Sequence, residues 1–384
     1  MDDGHGAGLS HMSTAAGATP GAWRATTAWR RLTVILSAAI LVAACASGAS
    51  STDEPAGDTA AGEPSESAVQ PRATIRFTFA PDPVFTYLKD TGELAAWEER
   101  HNLRIVPTES WDAYDYFKGG HGDVASLATY ELPVLEEEAG IKVIAFGKLN
   151  HQRTPLFRNA SDRFDTLDQV PDGANICANS GLTNTIAWSV IADQLHDIDY
   201  RLGEGKFNMV LHGHYEMPGL VQSNDCAIAA AIPEAAAPQL RKGELEMMYG
   251  GRAPWKIYQD DICKCEHKGV MSNLLVARQE WYEAHQDQAA AFLELWERGL
   301  ELWRQNKEEI VALYPETFFP VEAEEDTEYM VDYINDNDWF ANTVYMDEAW
   351  IDEEKKFYNY MIDSGWMEEN AEIPQFEALA PPVQ

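Results

Sequence analysis

Short apolar runs separated by amphipathic stretches recur along the chain from residue 73 onward. The run 75–80 alternates β-branched and aromatic residues, which is typical of a strand, and Pro81 ends it. Further apolar runs lie at 103–107, 123–127 and 141–146, each preceded by a stretch that predicts a helix. Strands that alternate with helices in this way predict a parallel sheet with right-handed crossovers.

A second series of the same kind follows the first, and its longest predicted helix spans 184–195. The chain is extended again over 270–277, and a long amphipathic helix follows in which Trp296 and Trp303 recur at helical spacing. We interpret this tryptophan stripe as core packing. The strand-like runs of the second series are 154–157, 174–178, 206–211 and 225–232.

One predicted βα unit, 119–135, carries polar residues where its strand ends. Its sequence is GGHGDVASLATYELPVL, which gives a glycine-rich turn, a short buried strand and a helix with Pro133 in its first turn. Open α/β sheets bind ligands at the carboxyl ends of their strands, where helix N-termini present unpaired N–H groups. The unit is therefore a candidate ligand site, and an ordinary βα unit that binds nothing is the alternative.

The N-terminal part of the chain has the layout of a targeting signal. Arg30 and Arg31 precede an apolar run at 32–44, which is too short for a membrane span of about 20 residues. The run ends in Val-Ala-Ala-Cys, which resembles a bacterial lipobox, so we expect Cys45 to be the lipidated N-terminus of the mature protein. Ordinary signal cleavage, with Cys45 incidental, is the alternative.

The segment that follows Cys45 predicts a flexible tether. Residues 46–72 contain no aromatic residue and almost nothing large and apolar, so they cannot form a core. A lipid anchor followed by such a tether indicates a protein that works just outside a membrane.

The charge balance excludes one class of partner. The chain carries 63 Asp and Glu against 28 Lys and Arg, a net charge of -35. Nucleic-acid binding needs a basic footprint, so we expect no nucleic-acid partner. We interpret the acidity as a solvated surface, because net charge determines solubility rather than fold.

Four cysteines remain after Cys45, and an exported protein is expected to oxidise them. Cys177 and Cys226 each lie in a predicted strand of the second series. Neighbouring strands are about 4.8 Å apart, which is within disulfide reach, so we predict that these two are joined. Cys263 and Cys265 would then pair with each other or stay free.

Motifs for catalysis are missing from the sequence: it has no Gly-x-Ser-x-Gly, no His-Glu-x-x-His and no phosphate-binding loop. His212, His214 and Glu216 alternate and could converge on a metal, although a polar strand end is the favoured interpretation. The segment 263–267, CKCEH, also offers metal ligands, but an exported context favours oxidised cysteines. We therefore expect no catalytic residue, no metal and no cofactor; a metal-binding or enzymatic protein on the same fold is the alternative.

Four local matches, in order along 73–365, resemble a known family. They are GGHGDVASLATYELPVL, ANSGLTN, NDCAIAAAIPEAAA and VMSNLLVARQEWYEAHQDQAAAFLELW. They resemble, in turn, a ligand-contacting strand and turn, a second-domain turn at a helix N-terminus, a strand with its Pro and helix, and a return strand with its long helix. The family is the type 2 periplasmic binding proteins, specifically the nitrate/sulfonate/taurine and thiamine-precursor class of ABC-transporter substrate-binding lipoproteins.

The resemblance implies an α/β fold of two doubly wound domains joined by two crossover strands. It also implies a protein lipid-anchored outside the cell membrane, which captures a small organic molecule in the interdomain cleft and delivers it to an ABC permease and its ATPase. The implied divisions are 1–44 as signal peptide, 45–72 as lipidated cysteine and tether, 73–152 with 280–384 as domain 1, and 153–279 as domain 2.

The resemblance also implies the walls of the cleft. The first wall would be Asp82, Val84, Phe85, Trp111, Ser126, Thr129 and Tyr130, and the second Ser180, Gly181, Leu182, Thr183, Pro233 and Glu234. We expect the rings of Trp111 and Tyr130 in the cleft rather than in the core. The matched loops contain no Lys or Arg, so their aromatic and acidic residues favour a neutral or cationic ligand. Arg153 and Arg158, near the first crossover, could supply positive charge.

Overall fold

The computed structural model describes residues 72–203, 205–267, 269–315, 318–319 and 321–381. The predicted signal peptide, Cys45 and the tether as far as residue 71 lie outside the described residues. Within the described ranges, no helix is long and apolar enough to cross a membrane.

Two sheets organise the strands. The larger has the order β11-β4-β10-β3-β1-β2 and the smaller the order β7-β6-β8-β5-β9. The strands are β1 (Ala73–Phe79), β2 (Leu103–Glu109), β3 (Val124–Leu127), β4 (Val143–His151), β5 (Leu156–Asn159), β6 (Asn175–Ala178), β7 (Asn208–Leu211), β8 (Ile228–Ala230), β9 (Leu245–Met247), β10 (Met271–Arg278) and β11 (Gln375–Phe376). Every strand-like run predicted from the sequence overlaps one of these strands, but β6, β7 and β8 are shorter than predicted, and β9 and β11 were not predicted.

The four strands predicted as a parallel series run in one direction, but β10 makes the larger sheet mixed. Strands β1, β2 and β3 are parallel, but β10 inserts between β3 and β4 and runs antiparallel to both. The physical reason is that β10 returns from the smaller sheet, so it enters the larger sheet from the opposite direction. The smaller sheet is mixed as well, since β5 runs antiparallel to β8 and β9 while β6 is parallel to β7 and β8.

The helices flank the two sheets. They are α1 (Pro83–Asp90), α2 (Glu93–His101), α3 (Ala113–Lys118), α4 (Glu131–Ala139), α5 (Asn184–His196), α6 (Met217–Gln222), α7 (Ala237–Arg241), α8 (Pro254–Ile257), α9 (Gln279–Ala284), α10 (Gln286–Leu313), α11 (Glu324–Asp336), α12 (Glu348–Lys355) and α13 (Phe357–Asp363).

Helix α10 carries the core of the larger sheet. Trp296 and Trp303 on its apolar stripe are fully buried, which confirms their interpretation as core packing. Gly299 lets α1 approach closely, because a Cβ at this position would stand 2.9 Å from Val84 Cγ1. The ring of Trp296 packs against Phe77 and Phe85, so α1, α10 and β1 form one apolar layer.

The chain crosses between the sheets twice, first between β4 and β5 and again between β9 and β10. The predicted domain boundaries stay a prediction. The sheet pairing bears on one of them: β10 belongs to the larger sheet, although 153–279 was assigned to domain 2. We accordingly propose that the second boundary precedes Met271.

The structure brings together the predicted pair Cys177–Cys226 and also Cys263 with Cys265, for which pairing was one of two alternatives. Cys177 on β6 and Cys226 just before β8 have Cα atoms 5.8 Å apart and sulfur atoms at bonding distance. Cys263 and Cys265 also lie at bonding distance, with Cα atoms 5.3 Å apart. This geometry fits the predicted Cys177–Cys226 link because β6 and β8 are paired neighbours.

We predict that removing the Cys177–Cys226 link costs far more stability than removing the Cys263–Cys265 link. The first closes a loop with a sequence separation of 49, worth about 4 kcal/mol in the chain-entropy account of disulfides. The second closes a very small ring, for which the same account gives about 1–2 kcal/mol. Denaturant unfolding of the two paired Cys→Ala variants measures the difference.

Peptide mapping without reduction is the control for this comparison. A peptide that links Cys177 to Cys263 or to Cys265 would refute the pairing, and equal losses of stability in the two variants would refute the ranking.

Candidate ligand-binding cavity

A cavity of about 100 Å³ lies between the strand ends of the two sheets. The larger sheet lines it with residues that follow β1, β2 and β3, and the smaller sheet with residues that follow β6, β7 and β8. Residues at the end of β4 and the start of β10 complete the wall. Pockets for drug-sized ligands run to roughly 300–1,000 Å³, so this cavity suits a small solute.

Asp82 has two roles, as a helix cap and as part of the cavity wall. Its Oδ1 accepts the N–H groups of Val84 at 2.8 Å and Phe85 at 3.2 Å, which caps α1. Burial raises the pKa of Asp82 to about 6, although the Phe85 N–H and the charge of Arg153 act in the opposite direction. Burial therefore disfavours the ionised carboxylate, and the hydrogen bonds and the charge of Arg153 offset this penalty only in part.

Arg153, on the first crossover, makes a buried ion pair with Glu234. Its Nε and Nη2 both donate to Glu234 Oε1, at 3.1 and 2.8 Å. The guanidinium carbon also lies 4.8 Å from the centroid of the Trp339 ring. Arg153 lines the cavity and Glu234 does not. The ion pair with Glu234 therefore holds the Arg153 side chain in its place in the cavity wall.

The rings of Trp111 and His214 meet across the cavity from opposite sheets. Their centroids are 5.3 Å apart in an edge-to-face arrangement. His214 Nδ1 accepts the N–H of Ile232 at 3.3 Å, and burial together with the charge of Arg153 lowers its pKa to about 3. His214 is consequently a neutral ring at physiological pH.

The candidate metal ligands do not converge. His212 lies 3.4 Å from Glu216, whereas His214 faces the backbone of Ile232 and the ring of Trp111. In the described part of the chain, no group of three or more His, Cys, Asp or Glu side chains could hold a metal ion.

Carboxamide side chains form a linked shell that sequence reasoning missed. Gln152 Nε2 donates to Tyr130 Oη and to Asn184 Oδ1, both at 2.6 Å, and Asn184 Nδ2 donates to Asn179 Oδ1 at 3.0 Å. On the other side, Asn273 Nδ2 donates to Ser126 Oγ at 2.7 Å. The sequence signal was the polar run Asn-His-Gln-Arg-Thr at 150–154, directly after an apolar strand.

The cavity brings together five of the predicted wall residues. Those that line it are Asp82, Trp111, Ser126, Tyr130 and Thr183; those that do not are Val84, Phe85, Thr129, Ser180, Gly181, Leu182, Pro233 and Glu234. Phe85 is fully buried in the apolar layer of α1 and α10. The turn 180–182 instead shapes the start of α5, where Leu182 N–H donates to Ser180 Oγ.

Tyr130 corrects one expectation about the rings. Trp111 is 42% exposed, as a cleft residue would be, but Tyr130 is only 1% exposed and belongs to the hydrophobic core, although it also lines the cavity. Its hydroxyl accepts the Nε2–H of the fully buried Gln152 at 2.6 Å, which ties the ring to the interior. Loss of this ring would therefore cost about 3–5 kcal/mol of stability.

Glu354 on α12 ties together three segments, two of which carry cavity residues. Its Oε1 accepts Thr129 Oγ1–H and, at 3.0 Å, the N–H of Met271, and its Oε2 lies 2.7 Å from His267 Nε2. Thr129 and Met271 do not line the cavity themselves, but their chain neighbours do. Ala128 and Tyr130 flank Thr129, and Ser272 follows Met271. Glu354 thus positions the loop after β3, the second crossover and the start of β10.

We predict that Glu354→Gln destabilises the protein by roughly 1.5–3 kcal/mol, the worth of a hydrogen bond to a charged group. The matched control is Glu353→Gln, whose carboxylate is exposed and pairs with Lys356 on the surface. That substitution should change the free energy of unfolding by about 0.5 kcal/mol or less. Urea unfolding of both variants provides the measurement, and indistinguishable midpoints would contradict the role given to Glu354.

Solved structures with the same fold are similar to this chain. The alkanesulfonate-binding protein SsuA from Xanthomonas axonopodis pv. citri, bound to MOPS, matches with a TM-score of 0.58 and 9% identity, over 78% of this chain and 96% of that one. SsuA from Escherichia coli matches with a TM-score of 0.57 and 11% identity over the same shares. The nitrate-binding protein NrtA from Synechocystis PCC 6803 matches at 0.54 and 14%, over 78% and 83%.

The sequence itself matches no protein-family model and no curated protein. At these identities the structural similarity establishes the fold and nothing finer. The predicted fold of periplasmic binding proteins, an α/β fold with two sheets, is therefore confirmed.

Proposed function

We propose that this protein is an extracytoplasmic solute-binding component that captures one small polar molecule in the cavity between its two sheets and delivers it to an ABC importer. The observation that carries the proposal is the cavity itself, because both sheets contribute strand ends to it. Neither sheet encloses the space alone, so a ligand would be held only when the two halves come together.

The ring contact between Trp111 and His214 supports this account of closure. It joins the loop after β2 to the loop after β7, so it exists only while the two sheets face each other closely. Ion pairs of Arg241 with Asp326 and of Lys242 with Glu322 join α7, next to the smaller sheet, to α11 and the segment before it. The two crossovers would act as the hinge that opens these contacts.

The structural neighbours support a binding role rather than a catalytic one. They are named as sulfonate-binding and nitrate-binding proteins, and 83–96% of their chains are matched. By analogy, the partners are a small-molecule ligand and an ABC permease with its ATPase. The lipid anchor at Cys45 and the attachment to the outer side of the membrane belong to this proposal and rest on the sequence alone.

The proposed contacts differ in part from the wall that the sequence suggested. Asp82, Trp111, Ser126, Tyr130 and Thr183 remain as ligand contacts because they line the cavity. Buried polar groups such as Asn150, Arg153 and His214 join them. Glu234, Thr129 and the turn 180–182 act by holding neighbouring residues in place.

We predict that Trp111→Ala abolishes ligand binding while the unliganded fold keeps its stability to within about 1 kcal/mol, because the ring is largely exposed. A ligand that binds only the native state adds about 2.7 kcal/mol of stability at a hundredfold excess over its Kd. The ligand is obtained by mass spectrometry of small molecules released from the purified protein. Calorimetry with that molecule added back then measures the gain in each variant.

Tyr116→Ala is the matched control. Tyr116 is 42% exposed, as Trp111 is, but it packs against His121 and does not line the cavity. The gain should survive in this variant. A Trp111→Ala protein that binds as tightly as the wild type would contradict the proposed site.

A further inference from the structure

The charges around the cavity do not balance. Asp82 and Glu131 both line it and are buried. Among the cavity-lining residues that the structure describes, only Arg153 carries a permanent positive charge, and His214 is kept neutral. A buried carboxylate without a full partner is costly, so the cavity lacks a positive charge.

Arg153 does not supply that charge because Glu234 already neutralises it. Two of its nitrogens donate to one Glu234 oxygen, and the two side chains are 13% and 5% exposed. An anionic ligand would have to compete with this desolvated pair for the guanidinium.

The N-terminus of α5 offers an anion fewer N–H donors than a helix N-terminus usually does. Helix N-termini attract anions through unpaired backbone N–H groups. Here, however, the N–H groups of Thr185 and Ile186 donate to the carbonyls of Leu182 and Thr183, at 2.9 and 3.0 Å. With Leu182 N–H bonded to Ser180 Oγ, the turn satisfies these donors internally.

Acceptors, by contrast, remain without partners. Asn150 is 3% exposed and lines the cavity, and its Oδ1 has no hydrogen-bond partner. The Thr183 hydroxyl, also on the wall, has no partner either, and it can accept or donate a hydrogen bond. A buried acceptor without a donor costs about 1–3 kcal/mol, which a ligand with N–H groups would recover.

Aromatic faces complete the environment. The rings that line the cavity belong to Phe77, Phe79, Trp111, Tyr114, Tyr130 and Trp296. Aromatic faces attract cations, most strongly where water is excluded.

We propose that the solute is a small organic cation whose positive end is held by Asp82 and whose apolar part packs against the aromatic wall. This inference rests on the proposed function and specifies the ligand class. The cation balances the carboxylate that Arg153 leaves uncompensated, and its donors satisfy Asn150.

The inference fixes the sign of the pH dependence. Across pH 5–7 the titrating groups that face the ligand are Asp82, with a pKa of about 6, and Glu131, which burial raises to about 7. Arg153 stays charged, His214 stays neutral, and burial keeps Tyr114 and Tyr130 protonated. Because a cation favours ionised carboxylates, its affinity rises with pH, by about tenfold from pH 5 to pH 7 through Asp82 alone.

The test uses the purified chain with two panels of millimolar probes. The cations are tetramethylammonium, ethylammonium and guanidinium chloride; the anions are sodium nitrate and sodium methanesulfonate. Thermal shifts identify binders and isothermal titration measures Kd at pH 5 and pH 7. We expect at least one cation to bind, about tenfold more weakly at pH 5, and no anion to bind.

Asp82→Asn should weaken that cation at least tenfold and flatten its pH dependence, while α1 stays capped because Asn caps helices as well as Asp does. Asp112→Asn is the control, since Asp112 is exposed beside Trp111 and makes no side-chain cap. It should leave Kd unchanged.

Two results would overturn the cation class: an anion that binds while the cations do not, or a cation whose affinity is flat or rises toward pH 5. An anion whose binding Trp111→Ala removes would still leave the proposed function standing. If neither panel binds, the cation inference fails, and the molecules released from the purified protein decide the proposed function separately.

Discussion

The ion pair between Arg153 and Glu234 is the interaction on which the cavity depends. It joins the first crossover to the segment that follows β8, so it connects the two sheets at their hinge. A desolvated pair of this kind is strongly destabilised when one partner is lost, because the other charge is left buried and alone. The crossover is therefore held in one position, and the polar residues on either side of Arg153 are held with it.

The charge of Arg153 also modifies the pKa values of its neighbours. Burial lowers the pKa of His214 and the positive charge of Arg153 lowers it further, so the neutral imidazole accepts a backbone N–H and meets Trp111 as an uncharged ring. The same charge relieves Asp82 only in part, since burial still raises that pKa to about 6. Asp82 and Glu131 thus bind protons more tightly in the folded chain than in the unfolded one. Their contribution to stability is present at low pH and is lost as pH rises through about 6 to 7.

Local patterns predicted the strands and the buried tryptophans well, because period and apolarity are properties of short segments. The place of β10 between β3 and β4 could not be predicted this way, since a strand's partners depend on the path of the whole chain. The residues of the site differ in the same way. Asp82 and Trp111 follow strands and were predicted from that position, whereas Glu354 lies far along the chain from Thr129, whose hydroxyl donates to it. Tyr130 was misjudged because one residue can line a cavity and belong to the core at the same time.

The fold shared with sulfonate-binding and nitrate-binding proteins does not determine the ligand, because the walls of the cavity are built by the residues that follow the strands. In this chain the helix that could face an anion has the N–H groups of Thr185 and Ile186 bonded within its own turn. The guanidinium nearby is bonded to a carboxylate, while a second carboxylate and a carboxamide oxygen face the cavity incompletely partnered. An anion placed here would face hydrogen-bond acceptors, whereas a cation with N–H groups would supply the donors that these acceptors lack. Whether this fold favours an anion or a cation therefore depends on which donors and acceptors of the cavity wall are already hydrogen-bonded within the chain.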